Sequence, residues 1–291
     1  MMRSIVLGTL CLLAGAGHAD LSFIEADKEY HFDTGALHGV LRAEGKSFGI
    51  GPVIDSRTGV TVAGVLGLFG PYRLLDADKR YLPDARDWPS ASRRLPDNAV
   101  EVRWAADAQH PFDLQIVYRW TSTNALDAIT TVTAHQPLRR FEVFLASYFQ
   151  GFPAVYGYGQ NGFVEVKKDM GDWLSFPRDG AAETIIADGR WLRPPHPVTF
   201  KPVVRYAGAL GMRRDAASGL VGLVMAPPEA CFAVLMPQGE DGHRSLYLSL
   251  FGRDFKDGEK ATARARLIIG HDMTDKQAIE GYEAYLKEIK P

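Results

Sequence analysis

Apolar and polar residues alternate along most of the chain. Val100, Val102 and Trp104, for example, are separated by the charged residues Glu101 and Arg103. Neighbouring side chains of a β-strand point to opposite faces, so this period of two predicts strands with one buried face. The same alternation recurs over residues 114–120, 141–149, 246–250 and 263–269.

Residues typical of turns separate these runs. They include Pro96-Asp97-Asn98, Ser122-Thr123-Asn124 and Lys256-Asp257-Gly258. About a dozen short strands at such spacing are typical of two packed antiparallel sheets. The pattern therefore predicts an all-β fold, a large antiparallel β-sandwich.

One segment has the period of a helix, and it lies at the C-terminal end. Thr274 and Gln277 have the spacing of a capping box, in which each side chain bonds the backbone of the other residue. Ile279, Tyr282 and Leu286 then fall on one helical face. We expect one C-terminal α-helix that packs on the outside of the sandwich.

The first 19 residues have the features of a secretory signal peptide. Arg3 is their only charge, an apolar run covers residues 5–14, and small residues lead to Ala19. The run is shorter than the roughly 20 residues that span a membrane. We therefore expect cleavage after Ala19, secretion or export to the periplasm, and a single sandwich domain over residues 20–291. An uncleaved membrane anchor is the alternative.

Composition excludes several classes of protein. The chain has 46% hydrophobic residues and a net charge of −2, values that exclude a disordered chain and disfavour a nucleic-acid binder. Cys231 is the only cysteine outside the predicted signal peptide, so a disulfide framework is excluded. No zinc or EF-hand signature occurs, and no cofactor is predicted. Calcium held by loop carboxylates and carbonyls stays open.

Two well-known motifs occur in the wrong context. Residues 45–49 match G-x-S-x-G, but the nucleophile elbow must lead into a helix, and Gly51-Pro52 follows instead. Residues 157–162 match G-x-G-x-x-G, which binds dinucleotides only where a helix begins. The run after Gly162 has the composition of a strand. Neither motif predicts catalysis or nucleotide binding here.

The stretch over residues 151–202 is the least periodic part of the chain. Long irregular segments in compact β folds are usually functional, or else cover an open sheet. Trp173 and Trp191 offer flat apolar faces, and Arg178 and Asp179 offer charged hydrogen-bonding groups. Sugars need both kinds of group. We therefore expect Trp173, Trp191 and Arg178 to bind a substrate and Asp179 to act in catalysis. The alternative is that the tryptophans plug the sandwich and the charges form structural pairs.

A second candidate group follows the later strands. Glu229 is a candidate general base, and His243 is its candidate partner in proton transfer. Arg253 and Asp254 follow a strand and are candidate substrate-binding residues, with a turn-stabilising ion pair as the alternative. A third patch includes Arg86 and Trp88 and could form another wall of a cleft.

The C-terminal strands carry a family resemblance. A strand over 245–250 is followed by Gly252-Arg253-Asp254, by Asp257-Gly258-Glu259-Lys260 and by a strand over 261–269. This pattern resembles the closing hairpin of galactose-mutarotase-like supersandwich domains, in which a Gly-Glu pair opens the last long strand. The resemblance implies a supersandwich fold and a sugar as ligand.

Proteins of that superfamily include sugar epimerases, polysaccharide lyases and sandwich domains of glycoside hydrolases. The epimerases use a histidine and a glutamate to open and close the sugar ring. No catalytic residue is carried over to this chain by position, so Glu229 and His243 stay candidates from their chemistry alone.

Three hypotheses follow for the function. The first is a secreted carbohydrate-active lyase, hydrolase or epimerase with acid and base residues beside an aromatic cleft. The second is a non-catalytic carbohydrate-binding or cell-envelope protein with the same cleft. The third is an assembly module that meets another protein through a flat apolar patch rather than a concave pocket. The expected partner is a carbohydrate, without nucleic acid or a membrane span; the oligomeric state stays open.

Overall fold

The computed structural model describes residues 21–43, 47–238 and 244–290. The predicted signal peptide and His243 lie outside these residues. The predicted all-β architecture is confirmed, because the described residues form 21 strands in three sheets. The strands are β1 (Ile24–Ala26), β2 (Glu29–Asp33), β3 (Leu37–Arg42), β4 (Gly49–Asp55), β5 (Thr61–Ala63), β6 (Gly70–Leu75), β7 (Arg80–Tyr81), β8 (Ala91–Arg94), β9 (Val100–Trp104), β10 (Phe112–Ser122), β11 (Ala125–Ala134), β12 (Leu138–Tyr148), β13 (Ala154–Gly159), β14 (Gly162–Glu165), β15 (Trp173–Pro177), β16 (Lys201–Pro202), β17 (Tyr206–Asp215), β18 (Leu220–Ala226), β19 (Cys231–Pro237), β20 (Ser245–Phe255) and β21 (Lys260–His271).

Two large sheets and one smaller sheet make up the fold. The N-terminal sheet has the order β1-β2-β3-β4-β5. The nine-stranded sheet has the order β14-β13-β17-β18-β21-β11-β10-β9-β8, and the seven-stranded sheet has the order β16-β15-β19-β20-β12-β6-β7. Neighbouring strands are antiparallel except β15 and β16. Non-consecutive neighbours such as β12 and β20 show that the chain crosses repeatedly between the two large sheets.

The two large sheets bury the alternating apolar residues that the sequence pattern predicts. On β10, Leu114 and Ile116 are buried, and on β12 Val143 and Leu145 are buried with them in one apolar cluster. That cluster also contains Val100, Val102 and Leu248. The inner faces of both sheets thus form the main core, as expected for a sandwich.

The N-terminal sheet joins the same core. The ring of Phe32 on β2 lies 4.8 Å from the ring of Trp120 on β10. Phe23 contacts both of these rings. The short sheet therefore extends the sandwich rather than packing on its outside.

The C-terminal helix α2 (Asp275–Glu288) lies where the sequence predicts it. The Thr274 hydroxyl accepts a hydrogen bond from the Gln277 amide, and the Gln277 side chain accepts one from the Thr274 amide, so the capping box is confirmed. Tyr282 and Tyr285 pack on the outer face of the nine-stranded sheet, against Leu210 and other residues of β17 and β18. No helix among the described residues is long and apolar enough to cross a membrane.

The structure adds one helix that the sequence pattern did not predict. It is α1 (Gly180–Ile186), within the irregular stretch, and Asp179 caps its N-terminus. Short 3-10 turns occur at Ala85–Asp87, Lys168–Met170 and Arg190–Leu192. The strand expected after Gly162 is present as β14 and forms a hairpin with β13.

The prediction that the last two strands pair as a closing hairpin is wrong. β20 pairs with β12 and β19 in the seven-stranded sheet, whereas β21 pairs with β11 and β18 in the nine-stranded sheet. The four residues between them therefore carry the chain from one sheet to the other. Sheets pack about 10 Å apart, a distance that a short connection can span.

Candidate functional site

The seven-stranded sheet has a second apolar face, which points away from the main core. Ala146 on β12 lies opposite Tyr247 on β20, and this register places both on the outer face with Phe144. The rings of Phe144 and Tyr247 stack with centroids 4.4 Å apart. Tyr148 and Tyr72 extend this aromatic surface along β12 and β6.

Residues 188–200, which we name the cover segment, cross part of this outer face. Trp191 packs against Phe144 with ring centroids 4.6 Å apart and against Phe200 at 5.1 Å. Trp173, at the start of β15, meets Phe200 from the other side at 5.9 Å. The interpretation of the irregular stretch as a cover over a sheet is thus confirmed for this segment.

A buried ion network fastens the cover segment to the sheet. The Arg190 side chain is fully buried, with Nη1 3.1 Å from the Glu142 carboxylate and Nη2 2.8 Å from that of Asp188. The Ser249 hydroxyl donates a second hydrogen bond to Glu142 at 2.7 Å. Burial raises the pKa of Glu142 above its ordinary value, although Arg190 and Ser249 oppose that rise. Trp191 follows Arg190 directly and is thereby held over the sheet.

Further arginines bind the backbone of the same segment. Arg80 donates to the carbonyl of Arg193, and Arg193 donates to the carbonyl of Asp76. Arg73 on β6 donates to the carbonyl of His196 at 3.0 Å. The segment is therefore tied down at several points and has a defined position over the outer face.

An open cavity of about 430 Å³ remains between the cover segment and the sheet. We name it the aromatic cavity. The guanidinium carbon of Arg73 lies 5.2 Å from the ring centre of Tyr72 and 5.4 Å from that of Trp191, so two rings flank this charge. The complete lining comprises Tyr72, Arg73, Phe144, Tyr148, Trp173, Trp191, His196, Pro197, Val198, Phe200 and Tyr247.

The cavity is suited to binding by stacking and by hydrogen bonds. Burial raises the pKa of Tyr247 to about 12 and holds that of Tyr148 well above its ordinary value, so both phenols stay protonated at neutral pH. Protonated phenols both donate and accept hydrogen bonds. Flat rings with a few placed polar groups are typical of ligand sites.

Comparison with solved structures identifies the architecture. A galactose mutarotase related enzyme from Lactobacillus acidophilus superposes with a TM-score of 0.50 at 10% identity, over 84% of this chain and 98% of its own. This chain has a galactose-mutarotase-like fold. A galactose mutarotase-like protein from Lactobacillus casei gives 0.47 at 11% identity, over 85% of this chain and 99% of its own. An α-N-acetylgalactosaminidase from Bifidobacterium bifidum gives 0.49 at 10% identity, over 91% of this chain and 38% of its own.

The fold expected from the C-terminal strands is thus confirmed. No protein-family model matches the sequence, and no curated protein sequence matches it. Residues of the galactose-mutarotase-like proteins are therefore not transferred to this chain, and its site is described from its own side chains.

The structure brings two of the predicted substrate-binding residues together. Trp173 and Trp191 both line the aromatic cavity. Arg178 does not line it. This residue follows the last residue of β15, about 16 Å along the extended strand from Trp173.

Arg178 instead binds the predicted catalytic carboxylate of Asp179 and the backbone next to Glu229, the other predicted catalytic carboxylate. Its Nε lies 2.7 Å from the Asp179 carboxylate, and its Nη1 donates to the carbonyl of Pro228, next to the exposed Glu229. The Asp179 carboxylate also accepts the Ala182 amide as the cap of α1. The hydrogen bond from Arg178 is the main reason that the pKa of Asp179 is lowered. This carboxylate is therefore ionised near neutral pH, and the catalytic roles of both residues stay predictions.

The predicted residues Arg253 and Asp254 lie at a third location. Arg253 is half exposed and pairs with Glu259 at 2.7 Å, and the Asp254 carboxylate accepts the Arg140 amide. The Arg253–Glu259 pair stabilises the connection between β20 and β21 and matches the alternative of a turn ion pair, whereas the Asp254 contact joins β20 to β12. Their role in substrate binding stays a prediction, and His243 lies outside the described residues.

Sequence reasoning missed the tyrosines and Arg73 of the aromatic cavity. A signal was present on β12, because Phe144, Ala146 and Tyr148 lie between the core positions and are themselves apolar or aromatic. A run without charged residues, such as 143–149, is typical of a strand buried on both faces. Only the core face was interpreted from the pattern. Among residues 21–43, 47–238 and 244–290, no group of three His, Cys, Asp or Glu side chains is placed to hold a metal ion.

Proposed function

We propose that this protein is a secreted carbohydrate-binding protein and that the aromatic cavity is its sugar site. The observation that supports the proposal is the grouping of Trp173, Trp191 and three tyrosines around Arg73 in one cavity of about 430 Å³. Aromatic planes pack against the C–H faces of a sugar ring. The guanidinium and the phenols provide hydrogen bonds for its hydroxyls.

The shape and the fold favour this function over an assembly module. The site is concave and lies under a fastened segment, whereas a flat exposed patch would fit a protein partner. A galactose mutarotase related enzyme shares the fold, which raises the expectation of a sugar without proving it.

Binding of a sugar panel to the mature chain tests the proposal. A bound sugar at about 100 times its dissociation constant should stabilise the fold by roughly 2.7 kcal/mol, which thermal unfolding detects. Trp173→Ala removes a stacking plane and should weaken the best sugar roughly tenfold in calorimetry. Tyr156→Ala, a half-buried aromatic on β13 of the nine-stranded sheet, is the matched control and should bind normally. Absence of binding across the panel, or equal losses in both variants, would refute the site.

Catalysis is the alternative, and the observation that favours it is the edge where Arg178 contacts both Asp179 and the turn of Glu229. Incubating the protein with the bound sugar and analysing the products decides between binding and catalysis. Turnover that Asp179→Asn or Glu229→Gln abolishes would indicate an enzyme, whereas binding without products supports a non-catalytic protein. Repeating the titration with calcium and with a chelator tests whether sugar binding depends on calcium, which the sequence leaves open.

Secretion has its own test. Sequencing the N-terminus of the protein recovered from the periplasm or the medium should give Asp20 as the first residue. Retention of residues 1–19 in a membrane fraction would favour the anchor instead.

A further inference from the structure

A second cavity lies next to the aromatic cavity, at the end of β12. It has a volume of about 340 Å³ and is lined in part by Val65, Gln150 and Arg244. We name it the distal cavity. Tyr148 lines both cavities.

A small recess of about 10 Å³ lies between the two cavities and shares lining residues with both. Tyr72 and Tyr148 line the recess and the aromatic cavity, and Leu66 and Tyr148 line the recess and the distal cavity. The side chains of Arg86 and Phe48 complete one wall of the recess. The three hollows therefore adjoin one another around Tyr148, and we refer to them together as the groove.

The groove is longer than the aromatic cavity alone. From Phe144 to Tyr148 the strand spans about 13 Å, and the distal cavity continues beyond it to Gln150. Val65 and Leu66 are 59% and 44% exposed beside this path, so apolar surface extends into the distal cavity. This length and surface fit a chain of several sugar rings better than one ring.

The charges along the groove are cations. Arg73 lies in the aromatic cavity, Arg86 in the recess and Arg244 in the distal cavity. The guanidinium of Arg86 lies over the ring of Tyr72, with its carbon 4.5 Å from the ring centre. One nitrogen of Arg244 donates to the carbonyl of Gly151. Among the described residues, no Asp or Glu lines any of the three hollows.

These three arginines differ from most arginines with a structural role in the same chain. Arg178, Arg190 and Arg266 each bind a carboxylate at 3.1 Å or less. In the described part of the chain, by contrast, no carboxylate lies within ion-pair distance of the groove arginines. A row of guanidinium groups that pair with no carboxylate of the described residues is suited to carboxylates of a ligand, which arginine binds through two parallel hydrogen bonds.

We infer that the groove binds an acidic oligosaccharide and that Arg86 and Arg244 bind the carboxylates of its uronate residues. The inference rests on the proposed sugar site and names its substrate class. Stacked bases and phosphates could also meet arginines and rings. We favour the acidic sugar because the groove includes the proposed sugar site, and we treat a nucleic acid as an outcome of the test.

The first experiment compares ligands on the mature wild-type protein by calorimetry. The probes are galacturonic acid, hexagalacturonate, the neutral hexasaccharide maltohexaose, a sulfated hexasaccharide and a single-stranded oligonucleotide. We expect hexagalacturonate to bind at least about tenfold more tightly than either the single uronate or the neutral hexamer. Its affinity should fall as the salt concentration rises, since salt screens exposed charges.

The second experiment changes the arginines. Arg86→Gln and Arg244→Gln should each weaken hexagalacturonate about tenfold and reduce the dependence of its affinity on salt. Arg57→Gln, an exposed arginine outside the groove, is the matched control and should bind as the wild type does. Arg244→Lys retains the charge and should recover part of the affinity if the Gln variant folds poorly.

The outcomes separate this inference from the proposed function. Equal binding of neutral and acidic hexamers would overturn the acidic ligand and leave the sugar site intact. Equal binding of the single uronate and the hexamer would overturn the extended groove. Preference for the sulfated sugar would overturn the assignment to uronates, and preference for the oligonucleotide would overturn both proposals, as would the absence of any sugar binding.

Discussion

Arg190 shows how one residue fixes the geometry of the candidate site. Its guanidinium is fully buried with the carboxylate of Glu142, and Trp191 follows Arg190 directly in the chain. Two carboxylates and a backbone carbonyl satisfy most of its donors. Charges can be buried in a protein when they are paired and hydrogen bonded in this way. The position of the aromatic cavity therefore depends on a polar network that lies beside it.

Removing the Arg190 side chain should destabilise the folded protein. Arg190→Leu leaves Glu142 buried without its cation, which typically lowers the free energy of unfolding by about 3–5 kcal/mol. Urea unfolding of the purified variant measures this loss. The control is Arg253→Gln, which breaks the exposed pair with Glu259 and should have only a small effect. Similar losses in both variants would contradict a special role for the buried network.

The sequence predicted some single residues of the aromatic cavity, but not which residues the fold brings together there. Trp173 and Trp191 were predicted because their flat apolar faces suit the C–H faces of a sugar, and both line the aromatic cavity. Asp179 had the right chemistry but caps a helix. Tyr247 on β20 and Arg73 on β6 line the cavity because both strands pair with β12. These strands are far apart in the sequence, so no local pattern predicts their pairing.

At the level of elements, the terminal helix and the strands with one buried face could be predicted because their signals are local. The period of two marks β10 and β21, and the capping box marks α2. Helix α1 was missed because its seven residues are too short for a periodic pattern. The sheet partners of β20 and β21 were also missed, since adjacency along the chain does not determine which strands pair.

The capping box of α2 should contribute measurably to stability. Thr274→Ala removes the acceptor for the Gln277 amide and should lower the free energy of unfolding by about 1 kcal/mol. Thr184→Ala is the matched control, because Thr184 is exposed inside α1 and its hydroxyl bonds only the carbonyl of Gly180. Thermal unfolding of both variants measures the difference. A Thr274 variant as stable as the Thr184 variant would refute the contribution of the cap.

At the scale of the whole molecule, three sheets share one core, and a polar contact joins two of them. Asp55 ends β4 of the N-terminal sheet, and His271 ends β21 of the nine-stranded sheet. The His271 Nε2 lies 2.9 Å from the Asp55 carboxylate. The amide and the hydroxyl of Thr58 donate to the other oxygen of this carboxylate. The pair therefore links β4 of the N-terminal sheet to β21, the last strand of the fold.

This contact predicts how stability depends on pH. Burial favours a higher pKa for Asp55, but the hydrogen bonds from Thr58 and His271 outweigh it and lower the pKa below its ordinary value. A lowered pKa means that the unfolded chain binds the proton more tightly, so the stabilisation is complete above pH about 4 and is lost as the pH falls through the folded-state pKa. Wild type should therefore exceed Asp55→Asn in melting temperature at pH 7, and the difference should shrink on acidification below pH about 4.

Melting curves of wild type and variants across this pH range measure the effect. Asp257→Asn changes an exposed turn carboxylate and is the control, with a melting temperature that should follow wild type at every pH. His271→Asn should reproduce part of the Asp55→Asn loss, because it removes one hydrogen bond to the same carboxylate. A difference between wild type and Asp55→Asn that stays constant from pH 7 to pH 3 would show that the ionised carboxylate does not stabilise the junction of the two sheets.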